Sequence, residues 1–372
     1  MKKKLPFLLI VFSISFSFSQ IPSGYYNSAT SSGYSLKTQL KTIISGHTDK
    51  GYDALNDAYK TSDTDIFYEN DNSVLDMYSE NPNGADPYNY QHNIRKCGNY
   101  KTENDCYNKE HIFPQGFFEK KYPMRSDIHH VVPTDGRVNG FRSNYPFGEV
   151  GTNLVSQSNI SNPTKNGSKL GNSIFPGYSG TVFEPIDEFK GDIARMLFYF
   201  ATRYEDEVTS SSWDPHTATN NPLNGTNNQV YEDWYIQVLH KWHTEDPVSQ
   251  REIVRNNEAY KFQGNRNPFI DHPEYVTQIW GSVLSIENIS LLENISVYPN
   301  PSSINRITIT IPSNLNITSI TLYSIIGSKI YEEKNISDSK HKFRVKDLKE
   351  GIYMLKIANK TSSITKKIII NN

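Results

Sequence analysis

Residues 107–148 read YNKEHIFPQGFFEKKYPMRSDIHHVVPTDGRVNGFRSNYPFG and contain the side chains that decide both the fold and the chemistry of this chain. Glu110 and His111 are adjacent, and the run at 128–132 is typical of a strand. A PTDG turn follows this strand, and Asn139 comes next, where a helix can begin. The segment therefore predicts that a Glu-His pair is followed by a strand, a turn and the start of a helix.

These residue types suit the hydrolysis of a phosphodiester bond. Such a site needs a base that deprotonates water, a Lewis acid for the phosphoryl oxygens, and cations for the remaining negative charge. The imidazole of His111, with an ordinary pKa of about 6.5, can act as the base at neutral pH. Glu110 and Asn139 offer hard oxygen ligands, which favour Mg²⁺, Mn²⁺ or Ca²⁺. Water and substrate phosphate would complete the coordination.

Several separated motifs, in the same order along the chain, resemble the endonuclease I family. They are NKEHIFPQGFF, MRSDIHHVVPTDGRVNGFRSNYPFG, DEFKGDIARMLFYFATRY, WYIQVLHKWHTEDPV and QGNRNPFIDHPE. The resemblance covers most of residues 20–281. It implies a secreted or periplasmic nuclease that accepts both the deoxyribose of DNA and the ribose of RNA. It also implies a ββα-metal (His-Me finger) site.

The resemblance also implies roles for individual residues. His111 matches the general base, Glu110 matches a carboxylate ligand of one divalent ion (Mg²⁺, or Mn²⁺ or Ca²⁺), and Asn139 matches the amide ligand on the helix of the finger. The implied substrates are DNA and RNA, cleaved to leave 5′-phosphates. Arg125 is a departure, since some members carry Glu there, and its expected role is contact with phosphate. Arg142 is a second candidate for phosphate contact.

Two other functional classes remain open at this stage. A zinc-dependent hydrolase would use His129 or His130, which are expected to point to opposite faces of a strand. A surface adhesin without catalysis would explain the many aromatic residues. The net charge of −10 over residues 20–281 favours both rivals, because a nucleic acid is a polyanion. Residues 95–142 nevertheless carry nine bases against six acids, which is compatible with a polyanion site.

The beginning of the chain predicts export. Residues 1–19 combine three lysines with a short apolar stretch and a small residue at the end, as in a signal peptide. In an oxidising compartment, the only two cysteines, Cys97 and Cys106, are expected to form one local disulfide. Two cysteines also exclude a zinc cluster made of cysteine alone.

The fold class predicted for the whole chain is α+β. A mainly helical nuclease domain, with a ββα-metal core, is expected at 20–281, and its strongest helical pattern lies at 185–204. A linker at 282–297 and a small all-β sandwich at 298–372 follow, because the residues near 307–311 alternate with the period of a strand. The protein is expected to be a monomer without a stable membrane span.

The C-terminal segment has its own resemblance. VYPNPSS, LYSIIGSKIYE, LKEGIYMLKI and TKKIIIN are similar to the sorting domain of proteins exported by the type IX secretion system. This implies interaction with that secretion machinery, passage through the outer membrane, and release or attachment at the cell surface.

Overall fold

The computed structural model describes residues 21–209, 220–302, 306–312, 315, 317–336, 340–344, 348–359 and 363–371 of the chain. The expected signal peptide, residues 1–19, lies outside this described part. The described residues form two compact units, the first within 21–232 and 238–275 and the second within 233–237 and 276–371. None of their helices is both long enough and apolar enough to cross a membrane.

The fold is α+β, in agreement with the coarse prediction. The helices are α1 (Gly33–Ile44), α2 (Leu55–Ser62), α3 (Gly136–Arg142), α4 (Lys190–Arg203), α5 (Asp233–Glu245), α6 (Gln250–Gln263), α7 (Pro268–Asp271) and α8 (Tyr275–Glu293). The strands are β1 (Tyr107–His111), β2 (Val131–Asp135), β3 (Val150–Leu154), β4 (Lys169–Ser173), β5 (Thr181–Glu184), β6 (Ser296–Tyr298), β7 (Arg306–Thr310), β8 (Ile317–Ser324), β9 (Lys329–Ile336), β10 (Lys340–Arg344), β11 (Gly351–Ala358) and β12 (Ser363–Ile370).

Helix α4 lies in the core of the first unit. All its residues from 191 to 203 are buried, which confirms the helical pattern predicted from the sequence. Three of them are charged, namely Asp192, Arg195 and Arg203. Arg195 is 0% exposed, and its guanidinium donates two hydrogen bonds of 2.6 and 2.7 Å to Glu252 of α6. Glu252 itself belongs to the capping box of α6, with Ser249 as N-cap. The buried arginine therefore has a geometrically matched carboxylate that is fixed by its own helix.

Strands β1 and β2 pair in antiparallel fashion and lead directly into α3. In this register Glu110 lies opposite Val132, and His111 lies opposite Val131. Asp135 ends β2 and caps α3, because its Oδ1 accepts the N–H of Val138 at 2.8 Å. The chain thus places the end of β1 beside the first turns of α3.

Strand β2 begins three residues later than the sequence pattern predicted. Asp127 folds the preceding residues into a turn, since its carboxylate accepts the N–H of His129 at 3.0 Å and its backbone oxygen accepts the N–H of Val131 at 3.1 Å. The prediction that His129 and His130 alternate on a strand is therefore wrong. Both rings are buried in the turn that precedes the strand.

The second unit ends in two antiparallel sheets, with strand orders β10-β7-β6 and β12-β11-β8-β9. Apolar side chains from both sheets, among them Ile309, Leu322 and Leu355, share one buried core, as expected of a sandwich. Helix α8 covers residues 282–293 of the expected linker. The domain boundaries given above stay predictions.

Candidate active site

A cavity of about 680 Å³ opens where β1 meets α3. Glu110, His111, Asn139 and Arg142 all line it, although the sequence separates the first from the last by 32 residues. The antiparallel pairing of β1 with β2 and the direct passage into α3 bring them together. The predicted site residues therefore share one cavity, with the exception of Arg125, which lies just outside its lining.

The hydrogen bond made by His111 determines which ring nitrogen can accept a proton. Its Nε2 lies 3.0 Å from the backbone oxygen of Arg125. A carbonyl oxygen can only accept, so Nε2 carries the hydrogen and Nδ1 keeps its lone pair. Nδ1 is buried and has no hydrogen-bond partner among the described residues. Burial lowers the pKa of His111 to about 3, and the neighbouring His130 and the nearby arginines add to this effect. The ring is therefore neutral at pH 7.

The ring of Tyr52 packs against the ring of His111. Its ring stacks on the imidazole of His111, with 5.9 Å between ring centroids and 12° between ring planes. Two cations also lie over the Tyr52 ring, the Nζ of Lys109 at 4.1 Å and the guanidinium carbon of Arg125 at 4.6 Å from its centroid. Sequence reasoning missed Tyr52, because no motif connects a tyrosine in the loop before α2 with a histidine on β1.

Glu110 is 2% exposed and firmly fixed. Its Oε1 accepts hydrogen bonds from the hydroxyl of Tyr78 at 2.8 Å and from Nη1 of Arg142 at 3.0 Å. Burial raises the pKa of Glu110, while the positive charge of Arg142 opposes that rise. The carboxylate is thus held in place on the wall of the cavity.

Arg142 lies inside the protein, with 1% of its surface exposed. Besides Glu110, its guanidinium donates to the backbone oxygens of His111 at 3.0 Å, Ile112 at 2.8 Å and Tyr145 at 3.0 Å. These contacts connect α3 to the end of β1. A direct contact with phosphate, as expected from the sequence, would require several of these bonds to break.

Asn139 directs its amide nitrogen into the protein. Nδ2 donates to Oδ1 of Asn108 at 2.8 Å and to the backbone oxygen of Lys109 at 3.4 Å. Because a backbone oxygen cannot donate, this contact fixes which end of the amide faces it. The Oδ1 of Asn139 accepts no hydrogen bond from the described residues and remains available to a cation. Glu110 and Asn139 both line the cavity, and their side-chain oxygens are the hard donors that could hold Mg²⁺, Mn²⁺ or Ca²⁺.

The predicted disulfide between Cys97 and Cys106 is present, with 5.8 Å between the two Cα atoms. Its loop forms part of the cavity wall, because Cys97 and Tyr100 line the cavity. Tyr100 packs so closely against α3 that a Cβ at Gly140 would lie 2.3 Å from the tyrosine hydroxyl oxygen. A larger residue at this position would have to displace the Tyr100 ring, so glycine allows the cross-linked loop to pack this closely against the helix.

The two histidines of the zinc hypothesis do not converge on a common point. The Nε2 of His129 lies 3.0 Å from the backbone oxygen of Asn265, and the Nε2 of His130 lies 2.7 Å from that of Met124. Each ring is thus used to bind a different backbone segment inside the protein. Neither lines the cavity.

Comparisons with known proteins identify the family of the chain. The Endonuclease I family model matches residues 32–274, and the Secretion system C-terminal sorting domain matches residues 296–371. The chain is 35% identical over 270 residues to an extracellular ribonuclease of Bacillus subtilis (strain 168), which covers 69% of this chain and 78% of that protein.

Two further relatives extend the comparison. The extracellular ribonuclease of Bacillus amyloliquefaciens is 35% identical over 265 residues, with 69% of this chain and 78% of that protein covered. The Endonuclease-1 of Buchnera aphidicola subsp. Baizongia pistaciae is 23% identical over 147 residues, or 40% of this chain and 46% of that protein. The chain belongs to the Endonuclease I family and is a secreted nuclease with a C-terminal sorting domain.

Proposed function

We propose that the protein hydrolyses phosphodiester bonds in DNA and RNA with little sequence preference, with His111 as general base and one divalent ion at Glu110 and Asn139. The observation that carries this proposal is the orientation of the His111 ring. Its Nε2 faces the carbonyl oxygen of Arg125, and its Nδ1 has no partner among the described residues, on a cavity that both oxygen donors also line. Relatives named extracellular ribonuclease support RNA as one substrate.

The proposed core is a ββα-metal finger made of β1, β2 and α3. Members of the family generally depend on a divalent metal. Glu110 and the Oδ1 of Asn139 would hold the ion, which supplies Lewis-acid stabilisation of negative charge on the phosphate and the leaving oxygen. Mg²⁺ is the proposed ion, with Mn²⁺ or Ca²⁺ as substitutes, because the donor pair consists of oxygen atoms only.

The proton would move to His111. Its Nδ1 accepts a proton from the attacking water, while its Nε2–H stays hydrogen-bonded to the Arg125 backbone and keeps the ring in place. Tyr52, stacked on the opposite face, prevents the ring from tilting. The hydroxide would then attack phosphorus and the bond to the 3′-oxygen would break. That oxygen would leave with the electron pair and take up a proton from water, which gives a 3′-hydroxyl on one product and a 5′-phosphate on the other.

The arginines would have different roles. We assign Arg142 to the positioning of Glu110, since its guanidinium is buried and bonded to protein acceptors. Arg125 is half-buried, and its Nε lacks a partner among the described residues, so it is the better candidate for phosphate contact. Lys96 and Lys109 line the cavity and add positive charge for a polyanion, although the surrounding domain is acidic.

The whole chain would act as an exported, monomeric enzyme. Residues 1–19 would direct export, 20–281 would form the nuclease domain, and 298–372, after a linker at 282–297, would be recognised by the type IX secretion machinery. The zinc hypothesis is not retained because His129 and His130 face different backbone segments. An adhesin without catalysis is excluded by membership of a nuclease family.

The test compares wild-type protein, His111→Ala and the control His272→Ala on plasmid DNA and on RNA, with Mg²⁺ and with EDTA. His272 lies outside the cavity, so its variant should cleave like wild type. Loss of a general base should lower the rate by about 10²–10⁴-fold. Circular dichroism would confirm that both variants are folded. Wild-type cleavage by folded His111→Ala, or cleavage that persists in EDTA, would contradict the proposed mechanism.

A further inference from the structure

A second group of acidic side chains lies apart from the active cavity. One carboxylate oxygen from each of Asp65, Glu69 and Glu80 lies within 4.8 Å of the other two. Asp65 and Glu80 are each 1% exposed, whereas Glu69 lies at the surface. None of the three lines the cavity of His111. The cluster is therefore a separate, largely buried group that opens to solvent on one side.

Glu80 is the member that points to a missing partner. Its Oε1 is buried and has no hydrogen-bond partner among the described residues. A buried carboxylate oxygen is normally paired with a donor or a cation, because the loss of its hydration is otherwise uncompensated. The oxygen atoms that Glu80 approaches belong to other carboxylates, which cannot donate when they are ionised.

The surrounding charges make the cluster more negative still. Asp76 and Asp86 lie close enough to Glu80 to interact with its charge, and Asp71 lies near Asp86 in the same way. Several like charges in so small a volume are unfavourable unless a cation or protons neutralise them.

The carboxylate of Asp65 is already oriented by the backbone. Its Oδ1 accepts the N–H groups of Phe67 and Tyr68, each at 3.0 Å, and its Oδ2 accepts that of Asn70 at 3.1 Å. A carboxylate oxygen has a second lone pair, so these bonds do not exhaust Asp65 as a ligand. They fix its direction before any cation arrives.

We propose that Asp65, Glu69 and Glu80 bind a calcium ion, with Asp86 beside it, at a site distinct from the catalytic one. Calcium takes oxygen ligands at about 2.3–2.6 Å, so two ligands on opposite sides of the ion lie up to about 5 Å apart. The spacing in the cluster fits this range without movement of the chain. Magnesium draws its ligands closer, to about 2.0–2.1 Å, which brings opposite ligands to about 4 Å.

The position of the cluster indicates a structural role for the ion. Glu80 follows Tyr78 by two residues, and the Tyr78 hydroxyl donates to Glu110 in the active cavity. Calcium at Glu80 would fix the segment from which Tyr78 reaches the catalytic wall. We therefore expect the ion to increase stability, because it binds the folded state and not the unfolded chain.

The test uses the full chain freed of metal by a chelator, as wild type, Glu80→Gln and the control Glu119→Gln. Glu119 is an exposed glutamate outside the cluster. Calorimetric titration with CaCl₂ and thermal unfolding with CaCl₂ or EDTA are measured for each. Wild type and Glu119→Gln should bind calcium and gain several degrees in Tm. Glu80→Gln should lose the part of that gain that Glu110→Gln keeps, yet unfold in EDTA at or above the wild-type Tm, since its amide relieves repulsion.

Three results would overturn the proposal. An equal calcium-dependent gain in Glu80→Gln would exclude the cluster as the site, and loss of the gain in Glu110→Gln alone would place the ion in the active cavity. The absence of any gain in wild type would mean that Glu80 is held as a neutral acid. His111→Ala should keep the gain in Tm, so failure of the proposed catalysis and failure of the calcium site can be told apart.

Discussion

Nη1 of Arg142 lies 3.0 Å from Oε1 of Glu110, and this buried ion pair joins helix α3 to strand β1. The side chains are 1% and 3% exposed, so neither charge is hydrated. The ion pair holds α3 and β1, the two elements that form this wall of the cavity, in one arrangement. It also shows that Arg142 contacts protein groups, whereas the sequence alone could not distinguish this role from contact with phosphate.

Arg142→Ala should reduce the free energy of unfolding by about 3–5 kcal/mol, because it leaves the buried carboxylate of Glu110 without its partner. Urea unfolding of the purified variant measures this change. Arg125→Ala is the matched comparison, since Arg125 is half-buried and stacks on Tyr52. It should leave stability nearly unchanged, raise KM and weaken the dependence of binding on salt. A stable Arg142→Ala protein with only a raised KM would restore Arg142 as the phosphate contact.

Removal of the disulfide should affect both stability and turnover. The double variant Cys97→Ser/Cys106→Ser is expected to lose about 2–3 kcal/mol of unfolding free energy, as the closed loop is short. Its kcat should also fall, because Cys97 and Tyr100 form part of the cavity wall. Urea unfolding and plasmid cleavage measure the two effects. Dithiothreitol should reproduce both effects in wild type and should leave the stability and the kcat of the double variant unchanged. Identical urea midpoints for wild type and the double variant would show that the loop keeps its structure without the disulfide.

The two buried histidines beside Asp127 should contribute less to stability on mild acidification. Burial lowers the pKa of His129 and of His130 from 6.5 to about 4, despite the opposing charge of Asp127. Below pH 6.5 these two sites therefore bind more protons in the unfolded chain than in the folded protein. Their contribution is fully present above that pH and is lost progressively as the pH falls towards 4, by up to about 1.4 kcal/mol per pH unit for each histidine.

The measurement is the free energy of unfolding in urea at pH 7 and at pH 5. Between pH 7 and pH 5 the free energy of unfolding of His130→Gln should fall less than that of wild type, because one of the two groups no longer titrates. An equal change in the two proteins would contradict the buried neutral state of His130. His272, which is partly exposed, provides the control His272→Gln, and this variant should keep the wild-type dependence.

The sequence predicted the part of the site that lies within one short segment. Glu110, His111 and Asn139 share a cavity because strand pairing and a helix start are local patterns that can be read from residue types. The late start of β2 was missed because it depends on Asp127, whose carboxylate is held by hydroxyls of Tyr199 and Tyr204 from the region of α4. Such long-range contacts override a local strand pattern.

The partners of the candidate catalytic residues could not be predicted from a local pattern for the same reason. Tyr52 and Tyr78 precede His111 by tens of residues, and nothing in their immediate sequence distinguishes them from the other tyrosines of the chain. The role of Arg142 depends on whether its guanidinium points outward or inward along α3. The guanidinium points inward because it donates hydrogen bonds to the backbone oxygens of Ile112 and Tyr145. The positions of these two oxygens cannot be predicted from the sequence around Arg142.

The loop that the disulfide closes has a consequence for the cell that makes this enzyme. Cysteines remain reduced in the cytoplasm and pair after translocation into an oxidising compartment. The wall formed by Cys97 and Tyr100 is therefore cross-linked only after the polypeptide has left the cytoplasm, which holds the chromosome and the messenger RNA. The disulfide at the edge of the cavity therefore forms only in a compartment where the enzyme no longer meets the nucleic acids of its own cell.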